Sequence, residues 1–159
     1  MQKKIIETEI DIFAFDELSP EYQQLINKAK EQVSKAYVPY SNFHVGAAVL
    51  LDNGEIFAGN NQENSAYPSG LCAERVTMFY ANSQRPDTPV SAIAVVAFNK
   101  GKFLEDPITP CGSCRQVLLE TETRFEKNIK VLLYGEKYTY IIDSIKDLLP
   151  LSFEKKSML

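Results

Sequence analysis

Cysteine, histidine and long apolar runs are all in short supply in this chain, and each scarcity excludes something. Three cysteines among 159 residues are too few, and odd in number, for a disulfide framework, so metal or catalytic use in a reducing compartment is the better reading. The longest uncharged apolar stretch, Ser91 to Phe98, falls far short of the roughly 20 residues that span a bilayer, so no membrane partner is expected. Lys3 and Lys4 are followed by Glu7, Glu9 and Asp11, which interrupt the apolar positions and leave a secretory signal no hydrophobic region. A cytoplasmic location follows by default. Net charge is −4 and the 17 Lys and Arg are scattered, so a nucleic acid polymer is not an expected partner either.

What is present is a globular composition, 45% hydrophobic and 24% charged, in a chain long enough to bury about 70% of its surface in one core. Residues 1–18 differ from the rest: Ile6, Thr8, Ile10 and Ile12 alternate with Glu7, Glu9 and Asp11, which suits a half-exposed edge strand or an arm on a partner subunit. They are treated as an accessory segment, and residues 19–159 as a single domain. Ser19-Pro20 and the helical spacing of Tyr22, Leu25, Ile26, Ala29 and Val33 predict a helix over 20–36. Asp52-Asn53-Gly54 predicts a hairpin between strands 43–51 and 55–60. A helix over 71–82, an apolar strand over 90–98, a helix over 110–125, strands at 129–134 and 137–142 and a short helix at 143–148 complete the pass. The order describes an α/β fold, with helices packed on a mixed sheet of about five strands.

Cys111-Gly112-Ser113-Cys114 follows Thr109-Pro110, which puts two sulfurs on one face at a helix N-terminus. Cys72 stands at the start of the preceding helix, so three thiolates can converge where helix dipoles favour anions. Three protein ligands and an open position describe catalytic zinc, whereas four describe a closed structural site. The single histidine, His44, could make the closed Cys₃His alternative, and three plain core cysteines are the blandest reading. Glu74 lies two residues beyond Cys72, near enough to serve the site without ligating.

Cys72-Ala73-Glu74-Arg75 followed by Pro110-Cys111-Gly112-Ser113-Cys114-Arg115-Gln116 resembles the zinc-dependent cytidine deaminase family. Tyr40 to Ala48, Asn61-Gln62-Glu63-Asn64 and Leu148 to Phe153 extend the resemblance to its small nucleoside-acting branch, over residues 20–153. The resemblance implies a three-layer α-β-α sandwich, one Zn²⁺ per chain on Cys72, Cys111 and Cys114, and hydrolysis of cytidine and 2′-deoxycytidine in pyrimidine salvage. Glu74 would be the catalytic proton shuttle, passing a proton from the attacking water to ring N3 and helping ammonia leave C4. It further implies that Asn61 and Glu63 bind the ribose hydroxyls, the Ala73 backbone holds the pyrimidine edge and Phe43 packs on the base, in a homotetramer whose neighbouring chains complete each pocket. Tyr67 and Phe153 join the expected substrate-binding set. Arg75, three residues after Cys72, is expected to offset the net −1 charge that three thiolates leave on a zinc site. Gln62 departs from the family, which usually carries an aliphatic residue there, and the tail after Phe153 matches no family pattern. Competing readings are a deaminase of antibiotic nucleosides, a polynucleotide-editing deaminase and a non-catalytic zinc module that uses His44 as fourth ligand.

Overall fold

The computed structural model describes residues 1–158. Ser19 accepts a hydrogen bond from the Tyr22 N–H and Pro20 enters the first turn, so α1 runs Pro20–Lys30 with Leu25, Ile26 and Ala29 buried. It is shorter than the expected 20–36, because the Gln32 N–H bonds the Ala29 carbonyl three residues back and the chain tightens into a 3-10 turn, Val33–Lys35. The strands are β1 (Asp11–Phe13), β2 (His44–Leu51), β3 (Ile56–Asn60), β4 (Val90–Asn99), β5 (Lys102–Phe103), β6 (Lys130–Tyr134) and β7 (Thr139–Ile142). Helices α2 (Ala73–Gln84) and α3 (Gly112–Phe125) and a 3-10 turn, Ile145–Leu148, complete the parts that position the site. Helix α2 begins two residues later than expected because Leu71 is held extended in an antiparallel bridge to Gln62.

The sheet order is β1-β7-β6-β4-β2-β3, with β5 beside β4. Strands β4 and β6 run parallel and the other pairs antiparallel, so the sheet is mixed. It has seven strands rather than the expected five. One addition is β1, which pairs with β7 through Asp11↔Ile141 and Phe13↔Thr139. The other is β5, reached through Lys100 (φ 51°) and Gly101 (φ 83°), two successive left-handed residues of the kind that close a tight hairpin.

Alternation along the central strands sorts the core into two halves. Val45, Ala47, Val49, Leu51, Ile93, Val95, Val131 and Leu133 pack with residues of α2 and α3, while Ala48, Leu50, Ala92, Ala94, Val96 and Leu132 pack with α1. The result is three layers, α1 on one face and α2 with α3 on the other. Facing α1, a Cβ at Gly46 would lie 2.0 Å from the Ala29 carbonyl oxygen, so glycine there lets the helix rest on the sheet. No helix of the described residues is long and apolar enough to cross a membrane.

Candidate active site

Two helix N-termini on the α2/α3 face supply the thiols. Cys72 is the N-cap of α2 and Cys111 the N-cap of α3, both with extended backbones and neither using its side chain to cap the helix, which leaves the sulfurs free. Cys114 lies one turn into α3 and is fully buried. The Cys111 sulfur is 3.6 Å from that of Cys114 and 3.8 Å from that of Cys72, and all three lie within 4.8 Å of one another. The Cys72 thiol is held down to about 5, by the Cys114 thiol first and the Arg75 guanidinium after it, against the effect of partial burial. Cys114 is pushed the other way by the same sharing and by burial. Arg75 Nη2 stands 3.9 Å from the Cys72 sulfur, and its Nε is buried with no partner.

This donor set fits zinc. Three sulfurs grouped at two positive helix ends, one exposed, one half-buried and one buried, form a three-ligand cluster with one side open to the neighbouring cavity, and a guanidinium stands beside the thiolates. The closed Cys₃His alternative is overturned. The His44 Nδ1 faces the Val33 carbonyl at 3.0 Å, its Nε2 faces Asn42 Oδ1 at 3.3 Å, and its ring meets Phe98 edge-on. It is therefore occupied on the α1 side of the sheet, and among the described residues the thiol cluster has no histidine. The reading of the cysteines as plain core residues also fails, since Cys111 is exposed.

Glu74 sits in the first turn of α2 and is 4% exposed. Burial pushes its carboxyl above the usual range, and the charge of Cys72 adds to the effect. Ala73 is fully buried at the first position of α2, where its N–H belongs to the unpaired donors of a helix start.

A cavity of about 360 Å³ opens beside the cluster, lined in part by Tyr40, Asn61, Glu63, Tyr67, Cys72 and Arg75. Its wall is a short extended array outside the main sheet. The Tyr37 N–H bonds the Asn61 carbonyl, the Glu63 N–H bonds the Tyr37 carbonyl, and Gln62 and Leu71 exchange both of their backbone bonds at 2.9 Å. This array supplies the alternation expected of a strand, although β3 itself ends at Asn60. Asn61 is more committed than expected: its Oδ1 accepts from the Val45 N–H at 2.8 Å and its Nδ2 donates to the Phe43 carbonyl at 2.9 Å, leaving one N–H and one lone pair. Glu63 Oε2 accepts from the Tyr40 and Ser41 N–H groups, and Ser41 followed by Tyr40 holds the carboxyl below the usual range.

Not every expected residue gathers here. Tyr67 lines the cavity mouth edge-to-face with Tyr40, at 6.2 Å between centroids. Phe43 instead packs against the core at the entry to β2, and Phe153 lies outside the cavity, 61% exposed, with its carbonyl accepting from Gln116 Nε2. Tyr40 was missed as a lining residue. The polar run Tyr40-Ser41-Asn42 was the available signal, since Asn42 takes φ 53° and folds the turn over Glu63.

The sequence pattern of the cytidine and deoxycytidylate deaminase zinc-binding region matches residues 19–128. The chain is 40% identical over 136 residues to the cytidine deaminase of Sporosarcina psychrophila, covering 86% of this chain and 93% of that protein. It is 48% identical over 99 residues to the cytidine deaminase of Halalkalibacterium halodurans, covering 62% and 70% respectively. Among solved structures, cytidine deaminase from Burkholderia pseudomallei superposes with a TM-score of 0.70 at 40% identity, over 83% of this chain and 98% of that one. Cytidine deaminase from Mycobacterium tuberculosis does so at 0.67 and 33% identity, over 86% and 99%.

Proposed function

The chain belongs to the cytidine and deoxycytidylate deaminase family, and from that premise we propose that it hydrolyses cytidine to uridine and ammonia. The observation that carries the reading is one place holding three thiols, a buried carboxyl and a polar cavity wall: Cys72, Cys111 and Cys114, Glu74, and Asn61 with Glu63.

Zinc held by Cys72, Cys111 and Cys114 would supply Lewis acidity, which in such sites lowers the pKa of water to about 7. The residues of the chain do the rest. Glu74, poised by burial to accept and return a proton, takes one from the attacking water, delivers it to ring N3, and carries one to the amino group as ammonia leaves C4. Atoms balance as cytidine plus water giving uridine plus ammonia. Arg75 offsets the thiolate charge, and the N–H of Ala73 is available to the pyrimidine edge. The ionised Glu63, with Oε2 already held by two backbone N–H groups, offers its other oxygen to the sugar hydroxyls, and the remaining N–H and lone pair of Asn61 serve the same diol.

Deoxycytidine as a second substrate, a place in pyrimidine salvage and a cytoplasmic location belong to the same proposal, the last supported by three free cysteines suited to a reducing compartment. So does a homotetramer. Its support is the exposure of Tyr40 and Tyr67 at the cavity mouth, of Phe79 and Tyr80 on α2, and of Phe153 outside its own cavity, where it suits the pocket of a neighbouring chain.

The test is the ultraviolet change on mixing metal-quantified protein with cytidine, deoxycytidine and cytosine, with Glu74→Gln as control. Conversion of the nucleosides but not the base, and an inert control that retains its zinc, is the expected result. Bound zinc with no reaction on either nucleoside would sink the assignment.

A further inference from the structure

Helix α3 carries two of the three thiols, but only Cys114 lies within it, and Cys111 sits at the junction with the long segment that follows β5. The position of Cys111 relative to Cys114 therefore depends on what fixes that junction. The Cys111 carbonyl accepts the first helical bond, from the Arg115 N–H at 3.0 Å, but its side chain does not cap the helix and Pro110 before it has no N–H to anchor. Arg115 fills the gap. Its Nε donates to the Pro110 carbonyl at 2.8 Å and its Nη1 donates to the Leu148 carbonyl at 2.6 Å. A cation in the first turns of a helix opposes the helix dipole, so helix stability does not account for an arginine at this place.

The far end of the clamp is firm. The turn Ile145–Leu148 buries Ile145 and Leu148, and a second residue of α3, Glu122, accepts from the Ile145 N–H at 2.9 Å and from Ser144 Oγ at 2.6 Å. Thr8 Oγ1 also donates to the Asp147 carbonyl at 2.7 Å, so the N-terminal segment leans on the same turn.

We propose that Arg115 is a positioning residue that fixes Cys111 against Cys114 by clamping the Pro110 carbonyl to the Leu148 carbonyl, so that its loss weakens metal retention without unfolding the chain. The inference rests on the reading of Cys72, Cys111 and Cys114 as metal ligands. A single guanidinium spans both carbonyls with two N–H groups at fixed spacing, which one ammonium cannot do.

The experiment compares full-length wild type, Arg115→Met and Arg115→Lys, each loaded with zinc and titrated against a chromophoric chelator well below its melting temperature. The cobalt-substituted forms are compared by visible absorption. Both variants are expected to hold zinc more weakly by about 10- to 100-fold, as for other groups that orient metal ligands, and to shift the cobalt–thiolate bands. A purely structural role for Arg115 would lower the melting temperature and leave those bands in place. Should Arg115→Met fail to fold, Arg115→Lys alone decides. Variants matching wild type in affinity and spectrum would overturn the clamp, and so would Arg115→Lys matching wild type while Arg115→Met does not, since charge would then be the cause. Wild-type protein that takes up no metal would overturn the ligand reading itself, and the clamp with it.

Discussion

Replacing Glu122 by Leu tests how a buried carboxylate fastens the last third of the chain. Glu122 is 2% exposed on the inner face of α3. One carboxylate oxygen accepts from the Ile129 and Ile145 N–H groups, both at 2.9 Å, and the other accepts from Ser144 Oγ at 2.6 Å. It thereby ties α3 to the segment entering β6 and to the turn that follows β7. Leucine fills much of the same volume and leaves all three donors without an acceptor. Each buried unsatisfied group costs about 1–3 kcal/mol, and removing the carboxylate recovers part of the desolvation cost of its charge, so a net loss of about 4 kcal/mol is expected. For a chain of this size that corresponds to a fall in melting temperature of roughly 8–16 °C. Thermal melts in the presence of a chelator separate the effect from metal linkage. Glu122→Gln, whose side-chain oxygen can still take both N–H groups, should fall between the two. A Glu122→Leu variant melting within about 2 °C of wild type, no more than the shift expected for about one kilocalorie per mole, would refute the reasoning.

Gly46→Ala should cost at least about 3 kcal/mol, at the upper end of overpacking effects, because its Cβ would meet the Ala29 carbonyl oxygen at 2.0 Å and force α1 off the sheet; soluble yield and melting temperature check it. Arg85, bonded through Nε and Nη2 to both oxygens of Glu55, holds that carboxyl below the usual range. Because the folded value is depressed, this stabilisation is complete above the ordinary glutamate value of about 4.3 and lost as pH falls through the folded value. The melting difference between wild type and Arg85→Met should therefore be small at neutral pH and vanish on acidification; a difference that grows in acid would contradict it. Removing the metal with a chelator should free three thiols, and a thiol reagent should then react with Cys72 and exposed Cys111 before fully buried Cys114. Simultaneous reaction of all three would count against the burial gradient.

The thiol cluster was readable from the chain because its determinants are local: Pro110 before Cys111, a three-residue spacing to Cys114, and a helix start at Cys72. The Asn53-Gly54 hairpin was readable for the same reason, with Gly54 at φ 84°. What stayed hidden depends on distant partners. Glu122 reads as an ordinary helix-surface glutamate until the turn after β7 folds over it, and the partner of Arg115, a residue of the Pro110–Gln116 motif, stays out of view until Leu148 arrives from 33 residues away. His44 showed the same limit in reverse, since only packing reveals that the Val33 carbonyl and Asn42 occupy both ring nitrogens. The amide of Asn61, expected to face the sugar, is shared with the backbone of Phe43 and Val45 at the entry to β2, which no spacing rule could have disclosed.

The short strand β1 also governs how copies of this protein can meet. Without it, β7 would present four residues of open backbone at the end of the sheet, a template for another chain to join. With it, the outermost strand is three residues long, begins at Asp11 and is preceded by Glu7 and Glu9. Two copies approaching by that side bring carboxylates against carboxylates and find little backbone left to pair. Growth of fibres by strand addition is disfavoured at this end of the sheet, so ordered assembly draws on other faces of the molecule.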